Sequence, residues 1–289
     1  MKELDIFDNM KLRNAETRKR ADDTDTDIYV LLCIDKDNGC IKSGLRKRVA
    51  PFYRYAKNAG YNRKDLKPIQ IFYKNDLREK ELIKRGLLHK DYLKYNNWKP
   101  GEWGNYLSHM KALIQFLSTD KPYCIILEDD AWMKKTFKKD IKAIEKQLKL
   151  QNVKWDLIWL YNSGIGNYEN AVGAFMNMNK RRSSTPTLRM KKKDLNLYAI
   201  TRKFIGSTTA YMINRKCAFS MLKNAFPMKI DKTDMYMQYG SKWKDRKKFK
   251  ILTMRSAKDK KLSGTSDGYA KESPLIYAEV DDSSIQLNT

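Results

Sequence analysis

The feature that most constrains the fold is an alternation of short apolar runs with longer amphipathic segments along almost the whole chain. The apolar runs have the length and the β-branched and aromatic content of buried strands. They occupy residues 27–34, 68–73, 123–127, 156–160, 207–213 and 249–254. Segments with helical periodicity occupy residues 43–59, 77–94, 101–119, 137–150 and 215–226. This order predicts an α/β fold with a mainly parallel sheet flanked by helices.

The length and composition of the chain suit one large domain. It has 289 residues, of which 42% are hydrophobic and 11% aromatic, enough to bury a sizeable core. We expect residues 1–26, which are polar and lack a firm period, to be a flexible tail, and residues 27–289 to form a single domain. Within that domain, residues 163–203 are polar and basic and predict a long loop.

Three carboxylates, Glu128, Asp129 and Asp130, directly follow the apolar run at residues 123–127. In a parallel sheet, ligands bind at this end of a strand. Because like charges repel, the cluster destabilises the fold unless a cation neutralises it. Strand alternation would direct Glu128 and Asp130 to one side and Asp129 to the other. Two interpretations stay open: Glu128 and Asp130 bind Mg²⁺ or Mn²⁺, or the triplet caps the next segment.

The helix predicted at residues 101–119 carries a polar stripe beside its apolar face. Glu102, Asn105 and His109 lie at i, i+3 and i+7, so their side chains stand one above another. A histidine beside a core face is either a structural residue with satisfied hydrogen bonds or part of a site. Its position one helix before the carboxylate triplet favours a site.

Residues 101–133, GEWGNYLSHMKALIQFLSTDKPYCIILEDDAWM, resemble the signature of glycosyltransferase family 25. That family includes bacterial lipooligosaccharide galactosyltransferases and collagen galactosyltransferases, and its pattern is a Gly-Glu-x-Gly-x-x-Leu-Ser-His helix before an apolar strand ending in Glu-Asp-Asp. The matching positions are Gly101, Glu102, Gly104, Leu107, Ser108, His109, Leu127, Glu128, Asp129 and Asp130. Weaker similarity extends over residues 27–268, most clearly in WDLIWL at 155–160 and GSTTAYMIN at 206–214.

The resemblance implies a GT-A type, Rossmann-like fold and a hexosyltransferase. Such an enzyme would move galactose or glucose from a UDP-sugar to a hydroxyl of a glycan or protein, and we expect it to invert the sugar's configuration. Mn²⁺ or Mg²⁺ held by Glu128 and Asp130 would stabilise the leaving diphosphate. An inverting enzyme needs a base for the acceptor hydroxyl, and Asp231 and Asp234 are our candidates unless they cap a helix. We expect His109 to be the third catalytic residue.

The same resemblance indicates the residues that contact the donor. We expect them to be Ile34, Asp35, Arg46, Glu102, Ser108, Asp129, Thr209 and Tyr211. Ile34 and Asp35 stand where the family has a strand ending in Asn-Leu-Asp. Asp129 would orient the metal shell or touch the ribose. Tyr211 would pack on the donor sugar, although a core position suits it as well.

The formal net charge of +25 arises from 59 Lys and Arg against 34 Asp and Glu. Residues 180–203 and 242–261 each carry a net +8. This sign suggests nucleic acid, anionic lipid or phosphates as partners. However, lysine outnumbers arginine by 43 to 16, whereas forked recognition of phosphates and bases favours arginine. Residues 180–193 also lack an aromatic side chain for base stacking.

We therefore expect as partners a nucleotide-sugar donor, a glycan or hydroxylated protein acceptor and an anionic membrane surface, and no nucleic acid. Two other functions stay open. A nucleic-acid-binding protein would explain the charge. A metal-dependent nucleotidyltransferase would use the same strand-end carboxylates, but we find no Gly-rich phosphate loop near the N-terminus.

The cysteines and the terminal sequence bear on the compartment. Cys33 and Cys124 lie in apolar runs, where we expect plain core thiols, and the four cysteines form no CxxC pair or zinc spacing. The two histidines exclude a multi-histidine metal site. Residues 1–20 lack the apolar stretch of a secretory signal, and no apolar run approaches the ~20 residues of a membrane span. These features predict a cytoplasmic protein.

Overall fold

The fold is seen in a computed structural model. It describes residues 4–8, 26–34, 44–94, 100–161, 183, 185–200, 208–229, 233, 236–237, 249–254, 258–261 and 269–279. These ranges are called the described residues below.

Two sheets account for the strands among the described residues. The strands are β1 (Asp27–Leu32), β2 (Leu66–Gln70), β3 (Tyr123–Leu127), β4 (Ala131–Met133), β5 (Leu157–Trp159), β6 (Tyr198–Ala199), β7 (Ala210–Asn214), β8 (Ile251–Thr253), β9 (Lys258–Lys261), β10 (Tyr269–Glu272) and β11 (Ile276–Glu279). The central sheet has the order β2-β1-β3-β7-β5-β8-β6, and β4-β11-β10-β9 form a smaller antiparallel sheet.

The central sheet is mainly parallel, which confirms the predicted α/β class. β1 pairs in parallel with β2 and β3, and β5 pairs in parallel with β8. β7 lies antiparallel between β3 and β5, and the edge strand β6 is antiparallel to β8. The C-terminal ends of β1, β2 and β3 therefore meet at one edge of the sheet.

Helices cover both faces of this sheet. They are α1 (Asp5–Asp8), α2 (Val49–Asn58), α3 (Glu79–Lys84), α4 (Pro100–Leu117), α5 (Phe137–Leu150) and α6 (Arg215–Lys223). The apolar sides of α3, α4 and α6 pack into one core cluster, and those of α2 and α5 pack into a second cluster. Successive residues of β3 alternate between the two clusters: Cys124 and Ile126 face α4, whereas Ile125 and Leu127 face α5.

Part of the segment predicted as a basic loop is packed structure. Leu188, Leu195 and Leu197 are buried in the core cluster under α5, and β6 pairs with β8. The structure differs from the prediction here because three leucines, spaced along a stretch dominated by lysine and polar residues, are enough to anchor it.

Residues 4–8 and 26 are the described parts of the predicted N-terminal tail, and residues 4–8 lie against the core. Leu4 and Phe7 are buried, and the Phe7 ring contacts Phe72 and Phe226 at centroid distances of 5.8 and 5.2 Å. Arg85 forms an ion pair with Asp5. These contacts join the N-terminal segment to the loop after β2.

The prediction of plain core thiols is correct for Cys124 and wrong for Cys33. Cys124 is free and buried in β3, whereas Cys33 is disulfide-bonded. The physical difference is position: Cys33 comes just after the last residue of β1, where the chain leaves the sheet, and Cys124 lies within a strand. Disulfides are rare in reducing compartments, so this bond weakens one argument for a cytosolic location.

None of the helices within the described residues is long and apolar enough to cross a membrane.

Candidate functional site

A cleft of about 700 Å³ opens where β1, β2 and β3 end. Its wall is formed by Leu31, Leu45, Arg48, Ile71, Phe72, Tyr73, Lys74, Gly101, Asn105, Ser108, Glu128, Asp129 and Asp130. All three carboxylates of the triplet are present, together with the cationic side chains of Arg48 and Lys74. The place is the one that parallel α/β sheets use for ligands.

Gly104 and Ser108, one turn apart on α4, hold one wall of this cleft in place. A Cβ atom on Gly104 would lie 2.3 Å from the carbonyl oxygen of Phe72, so only glycine lets the helix approach the loop after β2 this closely. One turn later, Ser108 Oγ accepts the Phe72 N–H at 2.9 Å and donates to the Gly104 carbonyl at 2.6 Å. Gly104 and Ser108 thus fix the backbone of the cleft wall.

Two other residues of α4, Asn105 and His109, bind Glu128. His109 Nε2 lies 2.9 Å from Glu128 Oε1, and Asn105 Nδ2 donates to the same oxygen at 3.0 Å. Thr208 Oγ1 donates to it as well, and Thr233 Oγ1 donates to the Oδ1 atom of Asn105. Within the described residues, all hydrogen bonds to the Glu128 carboxylate end on Oε1, and Oε2 receives none.

These donors also set the charge of Glu128. Burial by itself would raise the pKa of this carboxyl, but the hydrogen bonds from His109, Thr208 and Asn105 outweigh burial and hold the pKa below its ordinary value. Glu128 is therefore ionised at neutral pH, and its side chain is 19% exposed towards the cleft.

His109 is held from behind by Tyr211. The Tyr211 hydroxyl lies 2.9 Å from His109 Nδ1, and both side chains are fully buried. Burial raises the pKa of Tyr211 well above its ordinary value, so its hydroxyl keeps its proton and can donate it to Nδ1. With Nδ1 accepting the Tyr211 hydroxyl, Nε2 carries the hydrogen that His109 donates to Glu128. Because the ring is 0% exposed, His109 reaches the cleft through Glu128 alone.

Asp129 lies on the same wall as its neighbours, unlike the expectation from strand alternation. β3 ends at Leu127, and residues 128–130 form a turn in which the Ala131 N–H donates to the Glu128 carbonyl. The alternation rule applies to extended strands and not to turns. Arg48 Nη1 contacts Asp129 Oδ1 at 3.4 Å. Burial raises the pKa of Asp129 to about 6, with Arg48 acting in the opposite direction and Glu128 in the same one.

Some of the other residues that we expected to contact the donor belong to the cleft wall, and others do not. Arg46 is exposed and Glu102 is buried in α4, and neither belongs to the cleft wall, whereas Ser108 does. The Ile34 N–H donates to Gln70 Oε1 just past β1. The Thr209 carbonyl accepts the N–H of Glu128. Asp35, Asp231 and Asp234 lie outside the described residues.

Sequence reasoning missed four polar residues of this site, Arg48, Lys74, Thr208 and Thr233. Arg48 takes the place at the cleft that we expected for Arg46, which lies two residues earlier in the same stretch of three basic residues. Thr208 directly precedes Thr209. The Thr208 side chain donates to the Glu128 carboxylate, and the Thr209 backbone carbonyl accepts the Glu128 N–H. No signal in the sequence distinguishes the members of these pairs.

The donor set fits a divalent cation in kind. Mg²⁺ and similar ions commonly take one or two protein carboxylates and complete their shell with phosphate oxygens and water. Glu128 and Asp130 on the cleft wall could supply these oxygens. Among the described ranges, no group of three or more His, Cys, Asp and Glu side chains is arranged to hold a metal ion by itself.

A family comparison decides what kind of protein carries this cleft. The family model of glycosyltransferase family 25 (LPS biosynthesis protein) matches residues 66–237, more than half of the chain. The chain belongs to glycosyltransferase family 25. No curated protein matches it significantly. The matched range includes α4, the carboxylate triplet and Tyr211, whereas Leu31, Leu45 and Arg48 of the cleft wall lie before it.

Proposed function

We propose that this glycosyltransferase moves a hexose, galactose or glucose, from a UDP-sugar to a hydroxyl group of its acceptor with the help of a divalent cation. The observation that carries the proposal is the carboxylate triplet on the wall of the cleft, in a chain of a glycosyltransferase family. Sugar transfer from a nucleotide donor needs a site that binds a diphosphate and compensates the charge that develops on it. The cleft offers cationic, acidic and backbone groups for both tasks.

The diphosphate would bind between α4 and the loops after β1 and β2. Arg48 and Lys74 are the cationic side chains of the cleft wall, and Gly101 in the first turn of α4 lies beside them. The first N–H groups of a helix lack partners within the helix, and the helix dipole favours anions there. We assign these three residues to the phosphates of the donor.

Glu128 and Asp130 would hold Mn²⁺ or Mg²⁺, which would neutralise charge on the leaving diphosphate. Since three donors occupy Glu128 Oε1, Oε2 is the oxygen that this residue presents to the cleft. His109 orients the carboxylate, and Tyr211 orients His109. We therefore assign a positioning role to His109, in place of the catalytic role that we expected.

The acceptor side of the reaction rests on the family and on sequence. The family description names lipopolysaccharide biosynthesis, which favours a glycan over a protein hydroxyl as the acceptor. The cytoplasmic location stays part of the proposal and rests on the sequence. We keep Asp231 and Asp234 as the candidate bases, with Asp129 as a residue that orients the donor. A carboxylate would deprotonate the acceptor hydroxyl on the side of the sugar opposite the leaving diphosphate, and attack from that side would invert the sugar's configuration.

The test is release of UDP by the purified full chain from a panel of UDP-sugars, with Mn²⁺ or with EDTA. We expect turnover with Mn²⁺, none with EDTA, and a loss of at least 100-fold in kcat/KM in Asp130→Asn. The control is Asp91→Asn, which alters an exposed pair with Lys94 and should leave turnover within twofold of wild type.

The same assay examines the positioning role of His109. Ala removes the hydrogen bond to Glu128, whereas Gln can still donate one. His109→Ala should therefore raise the Mn²⁺ concentration needed for half-maximal activity at least tenfold, and His109→Gln should restore most of the affinity. Equal turnover in wild type and Asp130→Asn would contradict the metal assignment. Absence of UDP release with every UDP-sugar of the panel would contradict the donor assignment.

A further inference from the structure

One face of the molecule, away from the cleft wall, is formed by the outer side of α5. Phe137, Ile141, Ile144 and Leu148 of this helix are buried against the central sheet. Its exposed residues are four lysines and one leucine, namely Lys139, Lys142, Lys146, Lys149 and Leu150. The two acidic residues of α5, Asp140 and Glu145, are buried beneath these lysines, and Asp140 forms an ion pair with Lys192.

The basic segment around residue 190 lies beside this helix. Gln151, just after α5, donates through Nε2 to the Arg189 carbonyl at 2.7 Å and accepts the Arg189 N–H at 3.3 Å. Lys192 Nζ lies 2.7 Å from Asp140 Oδ2. These contacts bring two stretches that are distant in sequence onto one surface. We call it the α5 face, and its members are Lys139, Lys142, Lys146, Lys149, Leu150 and Arg189.

The charge continues from α5 to its neighbour. Lys138 Nζ donates to the Gly60 carbonyl at 3.0 Å, which fixes the start of α5 beside the end of α2. Arg54 and Lys57 are the exposed charged residues of α2. The opposite side of the molecule is mixed in sign. In α3, for example, Glu79 and Lys80 are both exposed.

We propose that the α5 face docks this protein on the surface of an anionic lipid bilayer, independently of the chemistry in the cleft. An array of lysines on one side of a helix is attracted to anionic headgroups as a sum of point charges, each contributing near the surface. Lysine is a compact point charge, which suits this attraction to headgroups. Arginine is suited to the forked recognition of bases and phosphates.

Leu150 distinguishes a bilayer from nucleic acid as the partner. Its side chain is 67% exposed at the edge of the lysine array, which suits insertion between lipid headgroups. Single-stranded nucleic acid would instead require exposed aromatic rings for stacking, and the α5 face has none among its members. The only other large hydrophobic side chain exposed in the described ranges, Leu93, lies elsewhere, in the turn after α3.

The test is cosedimentation of the full chain with vesicles of phosphatidylcholine, with or without 30% phosphatidylglycerol. We expect binding to the anionic vesicles alone, weakened by salt. The triple variant Lys139→Glu/Lys142→Glu/Lys146→Glu should bind at least tenfold more weakly. The control Lys80→Glu/Lys84→Glu/Lys223→Glu makes the same change of charge on α3 and α6 and should bind within twofold of wild type.

Leu150→Ser should weaken vesicle binding at least twofold, and Leu93→Ser should not change it. Circular dichroism and UDP release would show that the variants are folded, and both should match wild type because the cleft is untouched. Equal losses in the two triple variants would overturn the proposal, since net charge alone would then explain binding. Failure of wild type to bind anionic vesicles, or tighter binding to a mixed-sequence oligonucleotide, would overturn it as well.

Discussion

At position 104 the helix propensity of alanine and the packing of α4 act in opposite directions. Alanine in a helix interior stabilises it by about 1 kcal/mol relative to glycine. A Cβ here would lie 2.3 Å from backbone, which cannot rotate away as a side chain could. Overpacking of this kind commonly costs about 1–3 kcal/mol. Because the contact is with backbone, we place the cost in the upper part of this range, at about 2–3 kcal/mol. After the gain of about 1 kcal/mol in propensity, Gly104→Ala should lower the free energy of unfolding by about 1–2 kcal/mol in urea melts. A stabilised variant would contradict the close approach.

The residues of the cleft were easier to predict than their roles. The spacing of Asn105 and His109 places both on one side of a helix, and the structure shows both on Glu128. The sequence does not show that His109 is shielded from the cleft, because that depends on its packing against Tyr211 of β7. Nor does it show that Asp129 shares the wall, because the turn begins one residue after the strand. A contact between distant segments decided the first point, and a local turn decided the second.

At the scale of elements, Arg215 joins the start of α6 to the end of α4. Its guanidinium donates to the carbonyls of Leu117 and Thr119, and to those of Phe116 and Lys121 at longer range. The last carbonyls of a helix lack partners within the helix, and a cation there also interacts favourably with the helix dipole. This single side chain therefore closes the helix that carries the motif.

We expect Arg215→Met to lower the free energy of unfolding by about 2–3 kcal/mol, because it leaves several partly buried carbonyls without a charged donor. Lys216→Met is the matched control, since Lys216 is exposed in the same helix turn, and its effect should stay within about 0.5 kcal/mol. Urea melts of both variants provide the measurement. Similar effects in the two would show that the capping bonds contribute little.

Element types followed from periodicity, and strand directions did not. β3 and α5 begin and end as predicted, because wholly apolar and amphipathic patterns are strong local signals. The reversed direction of β7 between β3 and β5 has no local signal, since a buried strand has the same composition in either direction. The short strands β4, β6, β9, β10 and β11 escaped prediction because two to four residues cannot display a clear period.

At the scale of the whole molecule, the N-terminal segment tests how far the core extends. Phe7 packs on Phe72, which follows β2, and on Phe226, which follows α6, so it joins two parts of the fold that are distant in sequence. Phe7 is 7% exposed. Replacing a buried phenylalanine by alanine commonly costs about 3–5 kcal/mol, and a site near a chain end can collapse to reduce the loss.

We therefore expect Phe7→Ala to lower the free energy of unfolding by about 2–3 kcal/mol, measured in urea. Asp5→Ala is the control in the same helical turn. The side chain of Asp5 is 55% exposed and pairs with Arg85, so its loss should change stability by less than about 1 kcal/mol. If Phe7→Ala had no effect, residues 4–8 would not contribute to the core, and the domain would start near β1. A loss as large as expected would extend the folded domain to the N-terminal segment, because only a packed side chain can lose burial energy.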